Sequence, residues 1–474
     1  MAFLPFKIAK RIRDLFKRGR VLLDVHSTVG GNICQLPDEI LECILNKLKL
    51  RDAVRASLVS SRWRHLVLSR ANLVFDLSNI FGMESCDLKG ASGKKCVCSE
   101  YRVKFVQAVY RFIASYRGRC ISKFIVHFCL KRDFAPHARD WIKFALDLGV
   151  KAIDLQFYCE HCSTKGALCD TQCEIPIKHL LSSNCDAGAT FSVRPFSHVE
   201  ALRFDHTRLK SQCIWSSLST LVNLKQLKMD FCELPPDLSL NSLTSLERVS
   251  VLFCIGLKKI ELASLKIKSL RVLCQRTVSL ELTGVPNLEI LHYAMPDNGL
   301  GYKFSKLPEY VPHLRSLRVD STSNWLEHMP ESTITFSRLG ILKVELDPSV
   351  GDIMFKIVQL LKLCPLLHHL YTSLSAREDK EPEKLGSIDE YHHECLEQIT
   401  IRYFVGTKYQ IESCKYLLQL APRLKKLGLR RALPDTLSCL KEAGCRSHPI
   451  SEEECESALN ALKLFSIDAK VFFI

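Results

Sequence analysis

A short apolar pattern recurs along most of the chain and limits what it can fold into. From Leu224 onward, successive copies begin 21 to 29 residues apart, a period typical of a solenoid in which each repeat supplies one strand and a returning segment. A single repeat cannot bury its own apolar face, so neighbouring repeats are expected to stack on one another. The pattern is apolar-x-x-apolar-x-apolar, and its copies begin at Ile121, Val150, Val199, Leu224, Leu246, Ile267, Leu288, Leu314, Leu339, Leu367, Leu396 and Leu424.

Two copies show an extended form of the pattern that ends in cysteine. They are Leu224-x-x-Leu227-x-Met229-x-x-Cys232 and Leu246-x-x-Val249-x-Val251-x-x-Cys254. This form resembles the leucine-rich repeat, in which the last position is a buried Asn or Cys. Cys232 and Cys254 are therefore predicted to be structural and without a redox role. The later copies are longer and uneven, so we expect an α/β fold in the form of an irregular leucine-rich-repeat solenoid, or horseshoe.

A different pattern precedes the repeats and predicts three short helices. Pro37 suits the first helical turn, where its missing N–H costs nothing, and Asp38 and Glu39 lie at the positive end of the helix dipole. Two further helices are predicted after Arg51-Asp52 and after a capping Ser60. So small a unit cannot bury all of its apolar side chains, each worth roughly 1.5–3 kcal/mol when fully buried. The spacing alone equally allows a partner protein or the rest of the chain to cover them.

The same segment resembles the F-box of plant adaptor proteins. The residues that carry the resemblance are Leu36-Pro37-Asp38-Glu39-Ile40-Leu41 and Ala56-Ser57-Leu58-Val59-Ser60-Ser61-Arg62-Trp63-Arg64. The resemblance implies that this small helical F-box binds the Skp-type linker protein of a cullin–RING ubiquitin ligase. The side chains expected to contact the linker are Leu36, Pro37, Ile40, Leu41, Ile44, Leu45, Leu58 and Trp63.

A third region, near the end of the repeats, resembles the FBD region of plant F-box/leucine-rich-repeat proteins. It is marked by Cys395-Leu396-Glu397, Gly406-Thr407-Lys408, Leu417-Leu418 and Leu424-Lys425-Lys426-Leu427. The resemblance implies a non-catalytic substrate-recognition subunit of a Skp–cullin–F-box ligase, whose repeats hold the target while a separate enzyme transfers ubiquitin. The alternative is a leucine-rich-repeat interaction scaffold without ligase function.

The sequence predicts six segments in this order. They are a basic N-terminal extension (1–34), the F-box (35–75), a linker with capping helices (76–120), leucine-rich repeats (121–387), FBD-like terminal repeats (388–431) and a C-terminal tail (432–474).

The residues between the apolar anchors of each strand are expected to face the concave side of the solenoid. Their cations could form a basic strip for an acidic or phosphorylated target. Alternatively, acids two residues further on neutralise them, which we favour for the rows of Arg203, Lys228, Arg318 and Lys343. Arg271 and His292 have no such acid and stand beside Leu273 and Ala294. The target-binding residues predicted for this central patch are Arg271, His292 and Arg318.

No metal, cofactor or catalytic residue is predicted. Cys159-x-x-Cys162 and Cys169-x-x-x-Cys173 have spacings that could close a zinc site, but the six residues between them fall short of the roughly 12–20 usual between ligand pairs. Loop thiols in the interval between Val150 and Val199, which has room for two repeats or for one with an insertion, explain them equally well. The chain has no phosphate-binding glycine loop and no nucleophile elbow.

The charge and hydropathy of the sequence limit which other partners and which cellular location are expected. The net charge is +15, and seven basic residues against one acid lie in the first twenty positions. This segment could be a nuclear-import patch, a membrane-surface helix or an extension without function. No basic motif interleaved with aromatic residues indicates nucleic-acid binding, and no apolar stretch reaches the roughly 18 to 20 residues of stable membrane insertion. Without a secretory signal, the expected location is the nucleus and/or the cytoplasm.

Overall fold

The computed structural model divides the chain into two compact units, Met1–Pro235 and Pro236–Ile474. The residues that it describes are 36–58, 60–83, 97–158, 173–174, 198–211, 214–215, 218–274, 276, 278–295, 307–321, 335–345, 353–374, 391–432, 450–465 and 469–474.

The first unit begins with the three short helices that the sequence predicts. They are α1 (Asp38–Asn46), α2 (Leu50–Ala56) and α3 (Ser61–Leu68). The predicted cap of α3 is confirmed, because the Ser60 hydroxyl accepts a hydrogen bond from the Trp63 N–H at 3.1 Å. The helices enclose one apolar core, which is formed by Leu41, Ile44, Leu45, Leu48, Ala53, Ala56, Trp63, Leu66 and Val67.

A short strand and helix join the three-helix unit to the sheet that follows. They are β1 (Asn72–Asp76) and α4 (Leu77–Phe81). The Asn79 side-chain oxygen accepts a hydrogen bond from the Leu50 N–H at the start of α2, at 2.9 Å. The Arg51 guanidinium donates to the Phe81 carbonyl. These two contacts hold α2 against α4 and so connect the three helices directly to the first strand.

The strands of the first unit form a parallel sheet in which β1 is the first member. Its order is β1-β2-β3-β5-β7. A two-stranded parallel pair, β4 with β6, accompanies it. The remaining elements are β2 (Lys123–His127), β3 (Ala152–Gln156), β4 (Cys173–Glu174), β5 (Ala201–Asp205), β6 (Thr207–Arg208), β7 (Gln226–Asp230), α5 (Arg102–Ser115), α6 (Ala135–Asp147) and the 3-10 helices Val97–Glu100 and Arg132–Phe134.

In the second unit each repeat again supplies one strand to a main parallel sheet. Its main parallel sheet has the order β9-β11-β13-β14-β15-β16-β17-β18-β19, and a smaller parallel sheet has the order β12-β10-β8. The strands are β8 (Asp237–Ser239), β9 (Arg248–Leu252), β10 (Lys259–Leu262), β11 (Ser269–Leu273), β12 (Ser279–Leu282), β13 (Ile290–Met295), β14 (Ser316–Ser321), β15 (Ile341–Glu345), β16 (His369–Ser373), β17 (Gln398–Phe404), β18 (Lys426–Arg431) and β19 (Lys470–Phe473). The helices are α7 (Leu307–Tyr310), α8 (Ile353–Lys362), α9 (Lys408–Leu420) and α10 (Glu452–Lys463).

The repeat register predicted from the sequence is confirmed. Each of the twelve copies is followed by a main-sheet strand that begins two residues after the first apolar position of the copy. Because β3 pairs directly with β5, the interval between Val150 and Val199 holds one repeat with an insertion. The pattern did not predict β1 and β19, whose first apolar positions are occupied by Arg70 and Asp468.

The recurring spacing of the pattern places the side chains of Cys232 and Cys254 in the interior. Both thiols are buried. The Cys232 Sγ lies 3.3 Å from the Asp230 carbonyl oxygen and 3.2 Å from the Thr207 hydroxyl. These cysteines therefore occupy the structural position that the sequence predicts for them.

One buried polar residue in the second unit supports a turn that apolar packing cannot hold. The fully buried Gln410 accepts hydrogen bonds from the Val405 N–H at 2.9 Å and the Gly406 N–H at 3.2 Å. Its amide nitrogen donates to the Tyr403 carbonyl at 3.2 Å. The side chain thus satisfies the backbone between β17 and α9.

This arrangement makes Gln410 a stability determinant. We expect Gln410→Leu to lower the free energy of unfolding by about 2–4 kcal/mol, because buried backbone groups lose their partners while the volume changes little. Denaturant titration measures the difference. The exposed Lys408 on the same helix provides the control variant Lys408→Gln, and equal stability of the two variants would contradict this role.

Candidate functional site

The structure divides the eight predicted linker-binding residues into two groups. Leu41, Ile44, Leu45 and Trp63 are buried in the core of the three-helix unit. Their side chains offer no surface to a partner, and they fix the arrangement of the helices instead. The sequence could not make this distinction, since buried and exposed apolar residues alternate at helical spacing in α1.

The other four predicted linker-binding residues remain accessible. Leu36 is half-buried against the core, and Pro37 is exposed. Ile40 exposes 42% of its surface and Leu58 exposes 65%. We call these four residues the F-box face. Val54 on α2, which is 40% exposed, is a further apolar side chain at the surface that the sequence-based selection left out.

Arg62 fixes the two chain segments that carry the F-box face. Its guanidinium donates to the Leu36 carbonyl at 2.7 Å and to the Asp38 carboxylate at 2.6 Å. Because Arg62 lies in the first turn of α3 and Asp38 in the first turn of α1, these contacts hold the N-terminal ends of both helices together. Arg62 therefore ties the start of α3 to the start of α1.

The three predicted target-binding residues lie on adjacent strands of the second unit. Arg271 on β11 is in register with His292 on β13, which is in register with Arg318 on β14. The next strand, β15, continues the series with Lys343. We call these four residues the central row. Neighbouring strands of a parallel sheet are about 4.8 Å apart, so the four side chains share one short stretch of the sheet face.

Three cations of the central row act on the imidazole of His292. The pKa of His292 is lowered to about 4, first by burial and then by the charges of Arg271, Arg318 and Lys343. At one end of the row, the Lys343 ammonium lies 4.6 Å from the centroid of the Tyr371 ring.

The corresponding row of the first unit is neutralised by its own acids. The Arg203 guanidinium lies 3.1 Å from the Asp230 carboxylate, 3.8 Å from Asp205 and 3.9 Å from Asp154. The Lys228 ammonium lies 3.1 Å from Asp230. The neutralisation predicted for Arg203 and Lys228 is therefore confirmed.

The predicted neutralisation of Arg318 and Lys343 is not tested by the structure. The side chains of Asp320 and Glu345 lie outside the described part of the chain, so this pairing stays a prediction.

The cysteine cluster and the basic N-terminal segment lie mainly outside the described residues. Cys159, Cys162 and Cys169 are among these, as is the basic segment 1–34, whereas Cys173 begins β4. Within the described ranges, no group of three or more His, Cys, Asp or Glu residues could hold a metal ion. No helix in the same ranges has the length and the hydropathy to cross a membrane.

Comparison with known families matches both regions of the chain. The family described as "At1g61320/AtMIF1, LRR domain" matches residues 117–471. The F-box domain family matches residues 33–75.

Individual relatives come from Arabidopsis thaliana. The F-box/FBD/LRR-repeat protein At1g13570 is 22% identical over 416 residues, which cover 85% of this chain and 92% of that protein. The F-box/LRR-repeat protein At3g03360 is 24% identical over 289 residues, or 58% of this chain and 55% of that protein. The F-box protein At1g80960 is 44% identical over 57 residues, or 11% and 12% of the two chains.

The lowered pKa of His292 gives a testable dependence of stability on pH. Between about pH 4 and the usual value near 6.5, the unfolded chain binds a proton at this residue and the folded chain does not. Acidification from pH 7 to pH 5 should therefore destabilise the wild type through His292. We expect the unfolding temperature of His292→Gln, relative to wild type, to be higher at pH 5 than at pH 7.

A second variant tests the cause of this dependence. Arg271→Gln removes one cation from beside His292 and should make the wild-type effect smaller. If wild type and His292→Gln lose the same number of degrees between pH 7 and pH 5, the environment described for His292 is wrong.

Proposed function

Because the chain belongs to the At1g61320/AtMIF1 family of leucine-rich-repeat domains and carries an F-box, we propose that it is the substrate-recognition subunit of a Skp–cullin–F-box ubiquitin ligase. In this proposal the F-box binds the Skp-type linker protein, the linker connects to the cullin complex, and the repeats hold the protein to be ubiquitinated. The chain acts as an adaptor and performs no chemical step itself. Its proposed location is the nucleus and/or the cytoplasm.

The observation that carries the proposal is the apolar surface that the three helices leave uncovered. Ile40 and Leu58 remain exposed although the same helices bury a complete core. Each such side chain contributes roughly 1.5–3 kcal/mol when a partner buries it fully. The F-box face is therefore suited to docking on an apolar surface of the linker protein.

The connection between the three F-box helices and the first strand of the sheet is consistent with the role of an adaptor. The hydrogen bonds from Leu50 to Asn79 and from Arg51 to Phe81 tie α2 to α4, and α4 directly follows the first strand of the sheet. A fixed connection of this kind limits the freedom of the sheet of the first unit relative to a linker protein bound at the F-box. Positioning alone can raise the rate of a transfer reaction, because it removes the entropy cost of bringing the reactants together.

The target-binding role is proposed for Arg271, His292 and Arg318. They lie in register on adjacent strands, and a protein segment lying across the sheet would meet them together. Lys343 extends the same row. This assignment concerns the second unit alone.

Substitution of the F-box face tests the proposal. We expect Ile40→Asp combined with Leu58→Asp to weaken binding of the Skp-type linker about a hundredfold, as two apolar contacts are lost and two charges are placed at the interface. Isothermal titration calorimetry of the full chain with purified linker measures the change. Both residues are exposed, so the folded structure should persist, which circular dichroism can verify.

The matched control is Leu464→Asp in the second unit. Leu464 is 87% exposed, and its substitution should leave linker affinity within twofold of wild type, a change of about 0.4 kcal/mol. Unchanged affinity in the Ile40/Leu58 variant would contradict the adaptor proposal and favour an interaction scaffold without ligase function.

A further inference from the structure

A cavity of about 270 Å³ lies where the three-helix unit meets the first strand of the sheet. Two segments of the chain form its wall. One runs from the end of α1 to the start of α2 and includes Asn46 and Leu50, and the other contributes Arg70, Val74 and Asn79. We call it the junction cavity. Because a water molecule in the liquid occupies about 30 Å³, the junction cavity has room for a small molecule of several non-hydrogen atoms.

Arg70 brings a partly buried guanidinium to the wall of the junction cavity. Its Nε donates a hydrogen bond to the Asn46 side-chain oxygen at 3.1 Å. Its Nη1 is buried and has no hydrogen-bond partner within the described ranges. Burial lowers the pKa of Arg70 to about 10, and no charged neighbour contributes to this shift. The described residues therefore leave the positive charge of Arg70 without a compensating carboxylate.

The acid at the end of β1 is engaged elsewhere. The Asp76 carboxylate accepts a hydrogen bond from the Asn79 N–H at 2.6 Å and another from the Asn79 side-chain amide at 2.9 Å. These bonds cap α4. Asp76 therefore serves the local backbone and is not an ion-pair partner of Arg70.

A desolvated cation of this kind calls for an anion. Moving an ion from water into a protein is costly unless opposite charge and hydrogen bonds compensate it. A water molecule in the cavity can accept a hydrogen bond from the guanidinium, but it does not offset the charge. An oxyanion does both, because a guanidinium forms paired hydrogen bonds with carboxylate or phosphate oxygens.

We propose that the junction cavity binds a small molecule with a carboxylate or phosphate group, which pairs with the guanidinium of Arg70. The side-chain amide nitrogen of Asn46, on the residue that accepts from Arg70, can donate to the same group. Lys47 and Lys49 also line the cavity. Both have interactions with other groups, so the charge of the ligand is assigned to Arg70 alone.

The junction cavity is separate from the F-box face. Its wall begins at Asn46, the last residue of α1, whereas Pro37 precedes this helix and Ile40 lies in its first turn. The nine residues of α1 span about 13 Å at a rise of 1.5 Å per residue. A small molecule can therefore occupy the cavity without displacing a protein from the F-box face, and its binding does not depend on the proposed function.

A ligand in this position would connect the F-box helices to the start of the sheet. Leu50 and Asn79, which a hydrogen bond of 2.9 Å already joins, belong to the two segments of the cavity wall. A molecule that contacts both segments adds to this connection. Because it binds the folded chain and not the unfolded one, it must also raise the stability of the fold.

Thermal unfolding and isothermal titration calorimetry test the site. The protein is the full chain in a chloride buffer without other anions, and the probes are inorganic phosphate, glycerol 3-phosphate and succinate. Potassium chloride at matched ionic strength is the reference. We expect at least one probe to bind saturably and to raise the unfolding temperature, whereas chloride does neither. The tighter probe indicates whether phosphate or carboxylate is the charged group of the ligand.

Substitution of Arg70 locates the binding. Arg70→Met removes the charge, keeps much of the side-chain volume and should weaken binding of the probe at least tenfold. The control is Arg111→Gln, which removes an exposed cation of α5 and should change the affinity less than twofold. In chloride buffer Arg70→Met should unfold at the same temperature as wild type or higher, since it buries no unpaired charge. Saturating probe should reverse this order.

Three results would overturn the proposal. The first is that none of the three probes binds saturably to wild type. The second is that Arg70→Met binds the probe as tightly as wild type. The third is that Arg70→Met is less stable than wild type by the same amount with and without probe, as a purely structural Arg70 predicts. If no probe binds and Arg70→Met instead weakens binding of the Skp-type linker, the cavity receives a group of that protein.

Discussion

Stacking of parallel strands through buried apolar side chains is the constraint on which the other features depend. Within each unit, the two anchors of every repeat strand are buried against those of its neighbours, as Leu270 and Val272 are on β11. Because side chains alternate along a strand, burial of these anchors forces the residue between them onto the opposite face. The row of Arg271, His292 and Arg318 therefore follows from apolar packing and does not require attraction among its members.

The sequence predicted the register of the repeats well because that register depends on local spacing. It failed for β1 and β19, where Arg70 and Asp468 replace the first apolar residue. The F-box shows a second limit. Spacing identified its helices, but it could not separate the buried Leu41 from the exposed Ile40, since that depends on how three helices pack in space.

The candidate sites show the same division between local and tertiary information. The sequence selected Arg271 and His292 by the absence of an acid two residues further on, and the pairing of β11, β13 and β14 brings both into register with Arg318. The strongest contact of Arg203 was not visible in this way, because Asp230 belongs to the next strand. Gln410 differs, because its side chain supports the turn before α9 through the N–H groups of Val405 and Gly406, which are only five and four residues away. For Arg203 the deciding neighbour is distant in sequence.

In the proposed function the F-box face binds the linker protein and the repeats hold the target, so the central claim is that one chain joins a target to a ligase core. The most direct measurement is the mass, by light scattering during size-exclusion chromatography, of the full chain co-purified with the Skp-type linker and the cullin. The account predicts a single complex that contains one copy of each protein. A folded chain that elutes alone, while linker and cullin elute together, would contradict it.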